Sequence, residues 1–306
     1  LIVDGQIHLS GRLKDPICIA GTWGKPVVAA SSTSGTNALA GSLDLTWYAG
    51  AQDGTQDDGT NEGGDDAPPP TVDQSNGKLA FVGDFETGDL SQWPSVGASK
   101  KHAYAASAQK GEARGGRYAG RMAVRFMDRG VDADGDPRKV RAEVFETPVK
   151  LDKEWFYGWS SMIDPAWNDQ NKTWFIIQQF HQNTWRASGS PPVYQRYAGG
   201  EWSIRCLKEV CGGNGILWKA SVPKGRWQDF VYQIKWSPNQ DGRIRVWLNG
   251  DQIVDYRGPN MRDASRGPYF KLGIYRGGID QETQIIWHDE YRRGTSKDVV
   301  NPKNYR

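Results

Sequence analysis

The feature that most constrains this chain is a two-residue rhythm in its C-terminal two thirds. Between positions 228 and 237, Phe230, Tyr232, Ile234 and Trp236 fall on one face, and Asp229, Gln233 and Lys235 on the other. That is the spacing of a strand with one buried face. Ile244, Val246 and Leu248 repeat the rhythm, Asn249-Gly250 supplies the residues of a two-residue hairpin turn, and Gln252–Tyr256 returns as the partner strand. Further strands are predicted over 121–127, 140–146, 155–162, 172–182, 269–275 and 284–292. Many strands joined by short turns, with almost no helical periodicity, predict an all-β fold: a two-sheet antiparallel β-jelly-roll sandwich of the concanavalin-like kind.

The sandwich is expected to occupy 78–306 as one domain. Residues 1–49 hold short β-like pieces with too little apolar surface for a core, and are read as poorly ordered. Residues 50–77 form an acidic linker rich in Gly and closed by Pro68, Pro69 and Pro70, a composition that cannot offset the entropy of ordering. That linker carries −7 and residues 1–49 balance, so with +2 overall the part from Lys78 onward carries +9. Such a surplus suits a polyanionic partner. Cys206 and Cys211 suit either a bridge in an oxidising compartment or two free thiols, with Cys18 left over. No run of 18 apolar residues spans a membrane, and no signal peptide is evident. A monomer located outside the cytoplasm, secreted, periplasmic or at the cell surface, is the expectation.

Three strands carry polar sets at alternate positions: Arg141 and Glu143, Gln179 and His181, and Tyr269, Lys271, Gly273 and Tyr275. If these strands are neighbours, the sets converge on one groove, where Gly273 would let a sugar approach the backbone. The combination matches β-elimination from a uronide. The C5 proton beside a carboxylate is removed only if the charge building on that carboxylate is stabilised, a task for Arg141 and Gln179. His181 or an ionised Tyr275 would be the base, Tyr275 the proton donor to the departing 4-oxygen, and Glu143 would orient Arg141. No cofactor is required by this scheme. Tyr194, with Arg196 and Tyr197, reads either as a subsite or as a surface strand end.

Arg141-Ala142-Glu143, Gln179-Phe180-His181 and the run Tyr269-Phe270-Lys271-Leu272-Gly273-Ile274-Tyr275 resemble, in order, the three signature segments of jelly-roll alginate lyases. Gly83 to Gly88, Pro191-Pro192, Trp247 to Gly250 and His288-Asp289-Glu290 give the wider look of the heparin lyase and glucuronan lyase-like families, over roughly 79–295. The resemblance implies that Arg141, Gln179 and His181 neutralise the substrate carboxylate and that Tyr275 is the acid and the candidate base. Lys271, Glu143, Tyr269, Tyr194 and Arg276 would contact substrate. Arg276 stands where alginate lyases more often carry Asn, which turns the expectation toward glucuronan first, alginate second and heparin-like chains third. It also implies a structural calcium on Glu86 and Asp289.

Three rivals share some of these features. A retaining glycoside hydrolase needs two carboxylates about 5 Å apart, yet Glu143 and Glu146 are three positions apart and point to opposite faces. A non-catalytic carbohydrate-binding module or lectin would explain the aromatic residues and the basic groove, but does not call for His181 and Tyr275 together. Nucleic-acid binding would rest on charge alone, without a groove-reading motif, and is not expected.

Overall fold

The computed structural model describes residues 2–3, 6–7, 77–98, 103–125, 128, 139–169, 174–183, 189–277 and 283–305. The chain divides into units 1–64 and 65–306. In the first, β1 (Ile2–Val3) pairs antiparallel with β2 (Gln6–Ile7). The acidic linker expected over 50–77 falls, Gly77 apart, outside the described residues.

The second unit is built from β3 (Leu79–Gly83), β4 (Ser95–Ala98), β5 (Ala106–Lys110), β6 (Tyr118–Val124), β7 (Lys139–Phe145), β8 (Trp155–Ile163), β9 (Phe175–His181), β10 (Val193–Ala198), β11 (Glu201–Cys206), β12 (Ile216–Ser221), β13 (Gln228–Lys235), β14 (Arg243–Leu248), β15 (Asp251–Arg257), β16 (Tyr269–Gly277) and β17 (Gln284–Gly294). One short helix, α1 (Lys208–Cys211), interrupts them. They form two antiparallel sheets. The first runs β12-β11-β10-β9-β16-β7-β4; the second runs β15-β14-β13-β8-β17-β6-β5, with β3 also paired to β17. This is the expected sandwich.

Alternation explains why the sheets pack. Phe270, Leu272 and Ile274 of β16 turn inward, as do Trp159 of β8 and Phe230 and Tyr232 of β13, and all six are fully or almost fully buried. Trp159 meets Phe270 edge-on at 5.1 Å, and Tyr291 stacks on Phe270 at 4.1 Å between ring centroids. Burying each such side chain contributes about 2–3 kcal/mol, so the aromatic layer dominates the core. The hairpin expected at Asn249-Gly250 is present, with Leu248 opposite Asp251 and positive φ at both turn residues (54° and 106°). The carboxamide of Asn249 also accepts the Asp229 amide at 2.9 Å, tying the turn to β13. Cys206 and Cys211 are joined by a disulfide with Cα atoms 5.8 Å apart, closing the α1 turn against the end of β11.

Candidate active site

The decisive placement comes from strand order: β9, β16 and β7 lie side by side in the first sheet. Because opposed residues of paired strands share a face, register brings the three polar sets together. Lys271 lies opposite Gln179 on one side and Phe145 on the other; Tyr275 lies opposite Arg141 and Ile176; Tyr269 lies opposite His181. The opposite face of the same strands carries the core.

Glu143 is the hub of the set. Its carboxylate is buried and accepts a hydrogen bond from the Gln179 carboxamide. Its other oxygen lies 3.6 Å from Arg141 Nη1 and 3.8 Å from Lys271 Nζ. Lys271, only 3% exposed, also sits 4.3 Å above the Phe145 ring, and the Arg141 guanidinium lies 4.6 Å from the centre of the Tyr275 ring. Trp174 meets that ring edge-on at 5.8 Å. One buried anion therefore locks two cations and an amide in place, and one of those cations is seated on the half-exposed Tyr275. Tyr269 is half-buried, and burial, with the Glu143 charge, raises its hydroxyl above the ordinary tyrosine value.

His181 stands at the other end of this row. Its ring centroid is 5.4 Å from that of Tyr269, and it is five positions along β9 from Ile176, the neighbour of Tyr275, or about 16 Å of strand. Tyr194 lies directly opposite Gln179 and so shares the open face, whereas Tyr197 is fully buried. Arg276 corrects the expectation made for it. Its side chain is 1% exposed and donates to the Arg125 carbonyl at 2.8 Å, because strand alternation turns it to the side opposite Tyr275. It offers nothing to a substrate on the open face.

Gly273 has a different purpose from the one sequence suggests. Register slips between Leu272 and Tyr275, where β16 carries one residue more than β9, a bulge of the kind that re-aims side chains. At Gly273 φ is +148°, and a Cβ would lie 2.0 Å from the Ala142 carbonyl oxygen. The glycine serves the close approach of β7, not of a sugar. Gly273→Ala is expected to destabilise the domain by about 2–4 kcal/mol and to cut activity, checked by denaturant melts and turnover; unchanged stability would contradict the role.

From the second sheet, buried His288 braces the bulge, with Nδ1 2.8 Å from the Ser161 hydroxyl and Nε2 3.4 Å from the Gly273 carbonyl. Burial pushes this imidazole down to about 3. The unfolded chain takes up the proton near its ordinary value and the folded chain does not, so this group's stabilisation is lost as pH falls from about 6.5 toward 3, by about 1.4 kcal/mol per unit. Asp289 and Glu290, pushed up by burial to about 8 and about 7, act in the opposite sense, since stability falls as pH rises from about 4 toward those values. A difference measurement separates them: the stability gap between wild type and His288→Gln is expected to shrink between pH 7 and pH 5. A gap independent of pH would contradict it.

Glu86 and Asp289 hold one turn from two sides. The Glu86 carboxylate accepts the Arg117 and Tyr118 amides at 2.9 Å, and Asp289 Oδ2 accepts those of Arg114 and Gly115 at 2.7 and 3.3 Å. Among the described residues no three His, Cys, Asp or Glu side chains are grouped to hold a metal ion. Oxygen donors suit calcium, but these two carboxylates alone do not make a calcium cage, and backbone carbonyls would have to complete it. Glu146, the rival carboxylate, lies between the sheets, salt-bridged to Arg293 at 2.6 Å and accepting the Tyr291 hydroxyl at 2.5 Å. It is remote in facing from Glu143, so the pair a retaining hydrolase needs is missing there.

A family model described as polysaccharide lyase matches residues 85–292. The chain belongs to this polysaccharide lyase family. The match spans all three signature strands. Among solved structures, the lyase domain is similar to the endo-β-1,4-glucuronan lyase of the fungus Trichoderma reesei, at 21% identity and a TM-score of 0.59, covering 74% of this chain and 99% of that one. It is also similar to the catalytic domain of a glycoside hydrolase family 131 protein from Coprinopsis cinerea, at 12% identity and a TM-score of 0.51, covering 74% and 98%. No curated protein matches the sequence. The sandwich is thus shared by lyase and hydrolase, and the site must decide the chemistry.

Proposed function

We propose that the domain cleaves a uronic-acid polysaccharide within the chain by β-elimination, with Tyr275 transferring the protons. The observation that carries this is the Glu143-centred lock, which presents Arg141 beside the Tyr275 ring. In the proposed reaction the Tyr275 phenolate takes the C5 proton, the freed electron pair forms the C4–C5 double bond, and the C4–O4 bond breaks. The departing oxygen then takes the proton from Tyr275. Where the C5 proton and O4 lie on one face of the sugar, as in a glucuronate, one group performs both transfers. Arg141 and Gln179 stabilise the carboxylate as charge gathers on it. His181, two positions beyond Gln179 on the same face of β9, joins them at that carboxylate.

The net charge of +9 from Lys78 onward supports an acidic substrate. Glucuronan is the first polymer to test, alginate the second and a heparin-like chain the third. The Cys206–Cys211 bridge supports a place outside the cytoplasm. The test is the ultraviolet absorbance of unsaturated uronate while the domain is incubated with each polymer. A rise with one of them names the substrate. Binding without any rise would favour a carbohydrate-binding module instead.

A further inference from the structure

Beyond the Glu143 cluster, the open face of the first sheet carries two arginines that this chemistry does not use. Arg196 of β10 lies opposite Ile176, which lies opposite Tyr275, so the three share one cross-strand row. Two strand spacings put Arg196 about 10 Å from Tyr275. On the next strand Ser203 lies opposite Arg196, and Arg205 reaches to Ser203 with an Nε to Oγ hydrogen bond of 3.1 Å. The second guanidinium is thereby drawn toward the first.

Among the described residues Arg196 has no hydrogen bond and no ion pair, although its Nε is shielded from solvent. Glu201, the acid on β11, is held instead by Lys219 at 2.7 Å. Burial and the nearby Arg205 charge hold Arg196 below the ordinary arginine range. Two like charges side by side, one half-desolvated and neither neutralised, are unfavourable by themselves and become favourable when an anion joins them.

We infer that Arg196 and Arg205, flanked by Tyr194, form a second carboxylate subsite for the polyuronate, with the sugar chain running across the strands from Tyr275 toward β11. This rests on the proposed elimination at Tyr275. A hexuronate unit is comparable in length to one strand spacing, about 5 Å, so the anion held there belongs to a sugar about two units from the cleaved bond. The substrate then bears carboxylates at regular short intervals, and oligomers too short to reach the pair gain nothing from it. Arginine suits this better than lysine, since a planar fork grips a carboxylate with two bonds.

The experiment compares wild type with the Arg196→Ala/Arg205→Ala variant on glucuronan oligomers of graded length. It adds equilibrium binding of polyglucuronate and of a neutral β-glucan to the same variants in a Tyr275→Phe background. Expected are a loss of at least about tenfold in kcat/KM on long oligomers, little change on the shortest cleaved ones, and weaker binding of polyglucuronate but not of the neutral glucan. Arg196→Lys in place of Ala should recover only part. Equal losses at every length, or no loss in binding, would overturn the subsite. If no polymer yields unsaturated product but polyglucuronate binding still depends on the pair, the elimination fails while the anion subsite stands.

Discussion

Tyr275→Phe is expected to reduce elimination by at least about a thousandfold, within the range general acid–base groups supply, while melting temperature and polyuronate affinity stay close to wild type. The ring survives in the variant, so its contacts with Arg141 and Trp174 survive as well. Only the oxygen that carries the proton is lost. His181→Gln is expected to leave a readily measurable rate, because His181 adjoins Tyr269 rather than Tyr275. The reverse order of severity would move the base to His181.

The second large effect concerns stability as well as rate. Glu143→Ala leaves the buried Lys271 and Arg141 without their shared anion. Removing one partner of a buried ion pair typically costs about 3–5 kcal/mol, and the loss of register in Arg141 and Gln179 should remove most activity. A companion double variant, Glu143→Met/Lys271→Met, removes one cation along with the anion and is expected to regain much of the stability but none of the rate. Chemical denaturation and turnover read the two separately. If Glu143→Ala is as stable as wild type, the carboxylate is not the hub described above.

Much of the fold was legible because alternation survives wherever a strand has one face in the core. The strands near 140–146, 155–162, 228–235, 269–275 and 284–292 all announce themselves through bulky residues at alternate positions, and the Asn249-Gly250 turn through its φ requirements. Strands that escaped notice break the rhythm for identifiable reasons. β5 (Ala106–Lys110) is made of small and polar residues, β12 (Ile216–Ser221) sits at the sheet edge with little burial, and β10 turns Gln195 inward, where it donates to the Tyr232 hydroxyl at 3.0 Å. A buried glutamine that bonds to a tyrosine from the other sheet looks polar in sequence.

The same limits governed the site. Arg141, Glu143, Gln179, Lys271 and Tyr275 could be grouped from spacing and family likeness, since period two fixes which side chains share a face. Glu143 as the common partner of three groups could not, because that depends on which strands are neighbours. Arg276 misled for the opposite reason. An arginine next to Tyr275 suggests substrate contact, yet alternation alone would have turned it inward, where it donates to the Arg125 carbonyl. The bulge at Gly273 was likewise invisible, since its need for glycine arises from the Ala142 carbonyl of another strand.

Elimination and hydrolysis leave products of different mass, and that difference tests the central claim most directly. Mass spectrometry of the oligosaccharides released from glucuronan, and from alginate in parallel, should show new non-reducing ends lighter by one water than hydrolysis would give, with no oxygen taken from labelled solvent into the cleaved linkage. Products that have gained a water at each cleavage would contradict the lyase account and make the domain a hydrolase on the same sandwich.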